Sequence, residues 1–214
     1  MKWDRMKAYE ETDTSEPGMT PDSSCGRRRF LLAAGAAGLG LSQLSKRDAH
    51  AAHSATNFEL LTESTRIRLE EDGATLIQKA YDLGYEYHRT HGGCCRCTVA
   101  ALQEALDMVP DDPGMFRAAT CLDAGAAPGT MLSCGCFTGA GIVIGYLCGG
   151  EDFACRDLAH NLIQRIARKY QDEFGSVLCE DAIKCGDCSD LVGRTSQWTA
   201  EILLEQFTDY MAEA

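Results

Sequence analysis

Cysteine is the residue type in this chain most able to do chemistry. The 214 residues include twelve cysteines, and a thiolate is both a nucleophile and a ligand for soft metals. Several of them stand at or beside the predicted start of a helix or helical turn: Cys97, Cys134, Cys155, Cys179 and Cys188. Free N–H groups at a helix N-terminus stabilise a thiolate. If Cys97, Cys134, Cys179 and Cys188 converge, they form a four-sulfur site for a cofactor or metal.

A second group combines histidine with cysteine. His88 and His91 are three residues apart and share a helical face, and Cys94, Cys95 and Cys97 follow them directly. Imidazole and thiolate suit zinc, copper or iron. The pattern is a candidate for a second metal site with the ligands His88, His91, Cys94, Cys95, Cys136 and Cys185. Exposed or helix-capping histidines are an equally open interpretation.

The pair Cys185 and Cys188 forms a CxxC motif, which can be a redox dithiol, half of a metal site or neither. Thioredoxin-like use requires a βαβ context, which is missing here, so we favour metal ligation. Covalent haem attachment requires CxxCH, but Cys97 is followed by Thr98 and Cys188 by Ser189. We therefore expect no covalent haem.

The elements that must position these cysteines are helices. Apolar residues recur at helical spacing, which predicts a single all-α bundle of about five helices, over residues 60–87, 94–108, 135–150, 155–174 and 188–207. Residues 109–133 are predicted to be an irregular loop. Gly141, Gly145 and Gly149 place a groove along one helix, which could pack within the monomer or across a homodimer. This helix is too short for a membrane span.

The N-terminus resembles a twin-arginine export signal. Residues 27–31 read RRRFL, an apolar run extends to Leu41, and residues 49–51 read AHA, a small-x-small cleavage site. The run is too short for a permanent membrane anchor. We expect a signal peptide over residues 1–51, with Met1 or Met19 as the start, and a periplasmic domain over residues 52–214. An ordinary secretory signal is the alternative.

The charge of the domain restricts its partners. From residue 52 onward, the chain contains 12 Lys and Arg residues and 25 Asp and Glu residues, which gives a net charge of −13. Such a surface repels phosphate backbones, so we expect no nucleic-acid partner. An acidic surface suits a basic redox partner such as a cytochrome, although a solvated surface with no docking role is the commoner explanation.

Four segments resemble the motifs of the redox-active C-GCAxxG-C-C family: residues 97–102 (CTVAAL), 134–140 (CGCFTGA), 174–179 (FGSVLC) and 188–192 (CSDLV). They occur in the family's order and extend the resemblance over most of residues 75–207. The resemblance implies a helical domain with a redox or metal site, related to the domain that precedes the haem-binding part of split-Soret cytochromes. Cys136 departs from the pattern, since the family usually has Ala there.

Three functions remain open. The first is a periplasmic electron-transfer protein that holds an iron–sulfur cluster or another thiolate-bound metal through Cys97, Cys134, Cys179 and Cys188. The second is a thiol–disulfide protein in which Cys97 or Cys134 attacks a substrate. The third is a protein stabilised by structural zinc or disulfides, without turnover. A hydrolase is not indicated, because the GxSxG, HExxH and P-loop motifs do not occur.

Overall fold

The computed structural model describes residues 59–126, 129–150 and 156–211, and in these ranges the chain is helical without strands. The prediction of an all-α fold is confirmed. The helices of twelve residues or more are α1 (Gly73–His91), α2 (Cys94–Ala105), α3 (Gly135–Cys148), α4 (Asp157–Phe174) and α5 (Cys188–Phe207). Shorter helical turns cover Pro113–Ala118, Ala119–Leu122, Asp123–Ala126, Cys179–Ala182 and Ile183–Cys185. The predicted signal peptide and Cys155 lie outside the described residues.

Helix α1 begins later than the sequence pattern indicates. The side chain of Asp72 accepts the N–H of Thr75 at 3.0 Å and caps the helix at Gly73. The residues before it are extended, and the N–H of Ile67 donates to the carbonyl of Phe207 at 2.6 Å. The predicted start at residue 60 is therefore wrong, because apolar residues of an extended segment packed on the bundle resemble a helical stripe over a short window.

Helices α1 and α5 pack closely through two glycines. A Cβ atom at Gly84 would lie 2.8 Å from the Oγ of Ser196, and one at Gly193 would lie 2.9 Å from the ring of Tyr81. Such distances leave no room for a side chain, so the glycines allow the two helix backbones to approach. Helix α2 packs against both α1 and α5 as well as α3. Its N-terminus is thus held between the long helices.

Helix α3 uses different glycines from those that the sequence pattern singled out. At Gly145 an added Cβ would meet no atom within 4 Å, and at Gly141 it would make only an ordinary contact. The close approach is at Gly139, where a Cβ would lie 2.7 Å from the carbonyl oxygen of Cys95. The homodimer stays a prediction. Among the described helices, none combines the length and apolar character needed to cross a membrane.

Candidate functional site

Four cysteines meet where α2, α3 and the turn Cys179–Ala182 begin. Cys94 is the first residue of α2, Cys134 is the N-cap of α3, Cys136 lies in its first turn, and Cys179 opens the short turn. The Cys136 thiol is hydrogen-bonded to Cys94 and Cys134, and the Cys179 thiol to Cys134. All four are buried. We call Cys94, Cys134, Cys136 and Cys179 the cysteine cluster.

The backbone joins two of the segments that carry the cluster. The N–H of Cys134 donates to the carbonyl of Val177 at 2.8 Å, and the N–H of Cys179 donates to the carbonyl of Leu132 at 2.9 Å. These bonds form an isolated antiparallel bridge between Ser133 and Leu178. The bridge therefore holds Cys134 and Cys179 close together, although they are 45 positions apart in the sequence.

Two glycines make room for the sulfurs. The Sγ of Cys94 lies in the space that a side chain at Gly135 would occupy. At Gly125, which has a φ of 65°, an added Cβ would lie 2.7 Å from the Cβ of Cys179. Both positions thus exclude a side chain, and at Gly125 the left-handed backbone also favours glycine.

The cluster holds one thiolate. Hydrogen bonds from Cys136 and Cys179 keep the pKa of Cys134 far below the ordinary thiol value, despite burial. The hydroxyl of Tyr170 adds a donor at 3.8 Å from the Cys134 sulfur. Burial, followed by the hydrogen bond to Cys134, raises the pKa of Cys136. Donation to Cys134 raises the pKa of Cys179. The hydrogen bonds therefore favour the thiolate form of Cys134 and the neutral thiol forms of Cys136 and Cys179.

Cys94 is a second acceptor in the cluster. The pKa of Cys94 is lowered mainly by hydrogen bonding to Cys136, and the N–H of Ala124 donates to its sulfur at 3.3 Å. Because Cys136 carries a single S–H proton, it donates to either Cys94 or Cys134 at one time. The segment around Ala124 is itself unusual, because Ala124 has a φ of 52°. This left-handed backbone brings the amide to the sulfur.

The four-sulfur site predicted from the sequence is assembled in part. Cys134 and Cys179 lie together, and the charges of Cys94 and Cys134 reach Cys188, whose pKa is raised to about 11 mainly by burial. Cys97 is not hydrogen-bonded to the cluster: its thiol donates to the carbonyl of Gly92 at 3.2 Å, although the charge of Cys94 reaches it. Cys94 and Cys136 stand in the cluster where Cys97 was expected.

The predicted second site is brought together only in part, since Cys94 and Cys136 lie in the cysteine cluster and its other members do not. The Nδ1 of His88 is hydrogen-bonded to the Oγ of Ser189 at 3.0 Å, and burial lowers the pKa of His88. His91 is exposed, Cys95 accepts the hydroxyl of Thr138 at 3.6 Å, and Cys185 is exposed. In the described part of the chain, no group of three or more His, Cys, Asp or Glu side chains is arranged to hold a metal ion.

Two residues at the site were not predicted to have a role there. Asp123 accepts the N–H of Cys95 at 2.7 Å and pairs with the Nε of Arg96 at 3.2 Å, so it caps the start of α2. Nothing in the local sequence indicates this long-range cap. Tyr170 was expected only in the apolar stripe of α4. A tyrosine in a core stripe does indicate a buried partner for its hydroxyl.

Fold and site together define an all-α protein with a buried cluster of cysteines, one of them a thiolate, where helices begin. The family described as "Putative redox-active protein (C_GCAxxG_C_C)" matches residues 93–202, which include the whole cluster. The chain belongs to this family of redox-active proteins. No curated protein and no solved structure matches it significantly.

Proposed function

We propose that this protein is a periplasmic electron-transfer protein that binds an iron–sulfur cluster or another thiolate-ligated metal at the cysteine cluster. The ligands would be Cys94, Cys134 and Cys179, with Cys136 or Cys188 as the fourth. The observation that carries the proposal is the buried Cys134 thiolate with three further sulfurs around it.

The donor set fits such a group chemically. Thiolates are the ligands of iron–sulfur clusters and of soft metals, and Cys134 is already in the ligating form. The other thiols must lose their protons and turn toward a shared point when the metal binds, so loading releases protons. The bound group would supply one-electron chemistry. The chain would supply ligation, exclusion of water, and hydrogen bonds from Ala124 and Tyr170 to the ligand sulfurs.

Burial favours electron transfer over thiol–disulfide exchange. In exchange, the attacking thiolate must touch a sulfur of the substrate. Cys134 is 1 % exposed and Cys136 is 0 % exposed, so a protein disulfide cannot reach them without opening of the fold. An electron needs no such contact between atoms. The burial of the thiolate therefore supports a centre that exchanges electrons.

The export signal and the charge support the location and the partner. The twin-arginine route carries folded proteins, which lets a centre be loaded in the cytoplasm before export. The net charge of −13 from residue 52 onward suits a basic partner such as a cytochrome. Replacing Arg27 and Arg28 by Lys should retain the protein in the cytoplasm, as measured by cell fractionation. Unchanged export of this variant would contradict the twin-arginine route.

The experiment that tests the centre uses protein purified without oxygen from the cytoplasmic pool. We expect visible absorption that dithionite bleaches, with iron and labile sulfide in matching amounts. Cys134→Ser should lose both, whereas Cys121→Ser, at an exposed cysteine, should keep them. Colourless protein with stoichiometric zinc would instead indicate a structural site, and metal-free protein with titratable disulfides would indicate thiol exchange.

A further inference from the structure

A cleft opens beside the cysteine cluster, between the end of α1, the start of α2 and the helix Pro113–Ala118. It has a volume of about 280 Å³ and is lined mainly by Tyr87, His91, Arg96, Cys97, Ala100 and Phe116. A neighbouring hollow of about 380 Å³ shares Tyr87, Ala100 and Phe116 with it. Ligand sites for small molecules typically have volumes of roughly 300–1,000 Å³. The cleft is close to the lower end of this range, and the neighbouring hollow, which Glu104 and Asp111 also line, falls within it.

Two aromatic side chains line the cleft. Tyr87 and Phe116 both contribute to its lining, and Phe116 is 38 % exposed although it is a large apolar side chain. The hydroxyl of Tyr87 donates to Glu104, which restrains its ring. Ala100 adds only a methyl group to the lining. Aromatic side chains stack on planar ligands.

The polar groups of the cleft are hydrogen-bond donors. Arg96 carries five N–H groups, and its ion pair with Asp123 engages the one at Nε. His91 lines the same cleft, with its ring 6.3 Å from that of Tyr87. Donors around an aromatic slot recognise a ligand with acceptor oxygens.

The cleft is close to the cysteine cluster. Cys97, which lines the cleft, lies three residues along α2 from Cys94, a rise of about 4.5 Å. Cys94 belongs to the cluster. A ring bound against Cys97 would therefore lie near the cluster sulfurs, while the fold keeps those sulfurs away from solvent.

We propose that this cleft binds a planar aromatic compound with ring carbonyl oxygens, of the quinone class, as a small electron carrier. Stacking on Tyr87 and Phe116 would hold the ring, and His91 and Arg96 would donate to the carbonyl oxygens. The choice of a redox-active ring rests on the proposed electron-transfer function. Binding itself rests on the shape and the donors of the cleft.

The test is calorimetric titration of the loaded protein with duroquinone. The four ring carbons of duroquinone that are not carbonyl carbons all carry methyl groups, so the Cys97 thiol cannot add to the ring in a stable form. We expect saturable one-to-one binding. Ala100→Leu fills the cleft, and Phe116→Ala removes a wall; each should weaken binding by about tenfold. Ala74→Leu, an exposed position on the other end of α1, is the matched control and should bind as the parent does.

A further variant tests the recognition of oxygen. His91→Phe keeps a ring but removes the donor, so it should weaken duroquinone binding by several fold, in the range of one lost hydrogen bond. Absence of saturable binding, or equal binding by Ala100→Leu and the parent, would overturn the inference. Metal and sulfide are measured in each sample. If the protein contains the metal but does not bind duroquinone, only the proposed ligand site in the cleft is refuted. If the purified protein contains no metal but binds duroquinone in the cleft, only the proposed metal centre is refuted.

Discussion

The sulfur of Cys94 lies directly over the α-carbon of Gly135, in the volume that any side chain at position 135 would fill. The first turn of α3 therefore packs directly against Cys94, the first residue of α2. The same glycine lies between Cys134 and Cys136 in the sequence. The backbone at position 135 is therefore in direct contact with three residues of the cluster: Cys94, Cys134 and Cys136.

We predict that Gly135→Ala displaces Cys94 and weakens the centre. The added methyl group would overlap the Cys94 sulfur, and overpacking of this kind costs about 1–3 kcal/mol of unfolding free energy. The measurements are urea unfolding of the metal-free protein and metal content of the loaded protein. Both should fall.

The matched control for this substitution is on the same helix. At Gly145 an added Cβ meets nothing within 4 Å, so Gly145→Ala should stabilise α3 by about 0.5–1 kcal/mol through lower backbone entropy. Its metal content should be unchanged. A Gly135→Ala protein as stable and as well loaded as Gly145→Ala would contradict the close contact between Gly135 and Cys94.

Cys94 and Cys97 should differ as ligands. Cys94 is hydrogen-bonded within the cluster, whereas the Cys97 thiol donates to Gly92 in the neighbouring cleft. We therefore expect Cys94→Ser to lose most of the bound metal and Cys97→Ser to keep it. Quantitative metal analysis of the two purified variants decides between them. Loss in Cys97→Ser with retention in Cys94→Ser would restore the site that the sequence pattern indicated.

The stability of the reduced, metal-free protein should rise with pH up to the ordinary thiol range. The pKa of Cys134 is lowered in the folded state, while an unfolded thiol has a pKa of about 8.5. Below that value the unfolded chain binds a proton that folded Cys134 does not, so stability falls with falling pH by up to about 1.4 kcal/mol per unit. Above it, Cys136 and Cys179 keep protons that the unfolded chain loses, and stability falls again.

Urea unfolding at pH 7.0 to 8.0 measures this effect. The window lies above the ordinary histidine range, and the lowered pKa of His88 keeps that residue neutral there in the folded state. Cys134→Ser should reduce the rise in stability across the window, and the lowered pKa of Cys94 accounts for the remainder. An identical slope in the variant and the parent would show that Cys134 is not a thiolate in the folded protein.

The hydroxyl of Tyr170 should tune the loaded centre. It donates to the Cys134 sulfur at 3.8 Å, and its oxygen accepts the hydroxyl of Thr195 at 2.6 Å. Hydrogen bonds to ligand sulfurs raise the reduction potential. Tyr170→Phe should therefore lower the midpoint potential in a redox titration, with about 1 kcal/mol less stability.

A second tyrosine separates tuning from a general effect on packing. Tyr146 lies on α3, and its hydroxyl donates to Asp112 at 2.6 Å. Tyr146→Phe should leave the midpoint potential at the parent value. If Tyr170→Phe also leaves it there while the centre is fully loaded, the hydroxyl does not act on the sulfur.

Helix positions were predictable where local signals agree with packing. Asp187 caps α5 through the N–H of Ser189, and Gly175 ends α4 with a φ of 72°. Both signals are short-range, so the sequence contains them. The start of α1 was not predictable in this way, because the extended residues before Asp72 contact distant parts of the chain.

The choice between Cys94 and Cys97 could not be made from sequence for a related reason. An amphipathic helix reveals its inner face through the period of its apolar residues. Helix α2 exposes only a narrow face, at Arg96, Ala100 and Glu104, and both Cys94 and Cys97 are buried, so the pattern does not choose between these two cysteines. The rotation depends on Gly135 and Gly139 of α3, which are distant in the chain. Cys134 and Cys179 were identified because each begins a helical segment.

Burial also decides which sulfurs an oxidant consumes. Peroxide and adventitious metal ions reach exposed thiolates first, and in the described part of the chain Cys121 and Cys185 are the exposed cysteines. Protein stored in air should therefore form covalent dimers through these surface thiols, visible on a non-reducing gel, before the cluster sulfurs are damaged. Replacing both exposed cysteines by Ser should slow the formation of these covalent dimers during storage and leave the cysteine cluster unchanged.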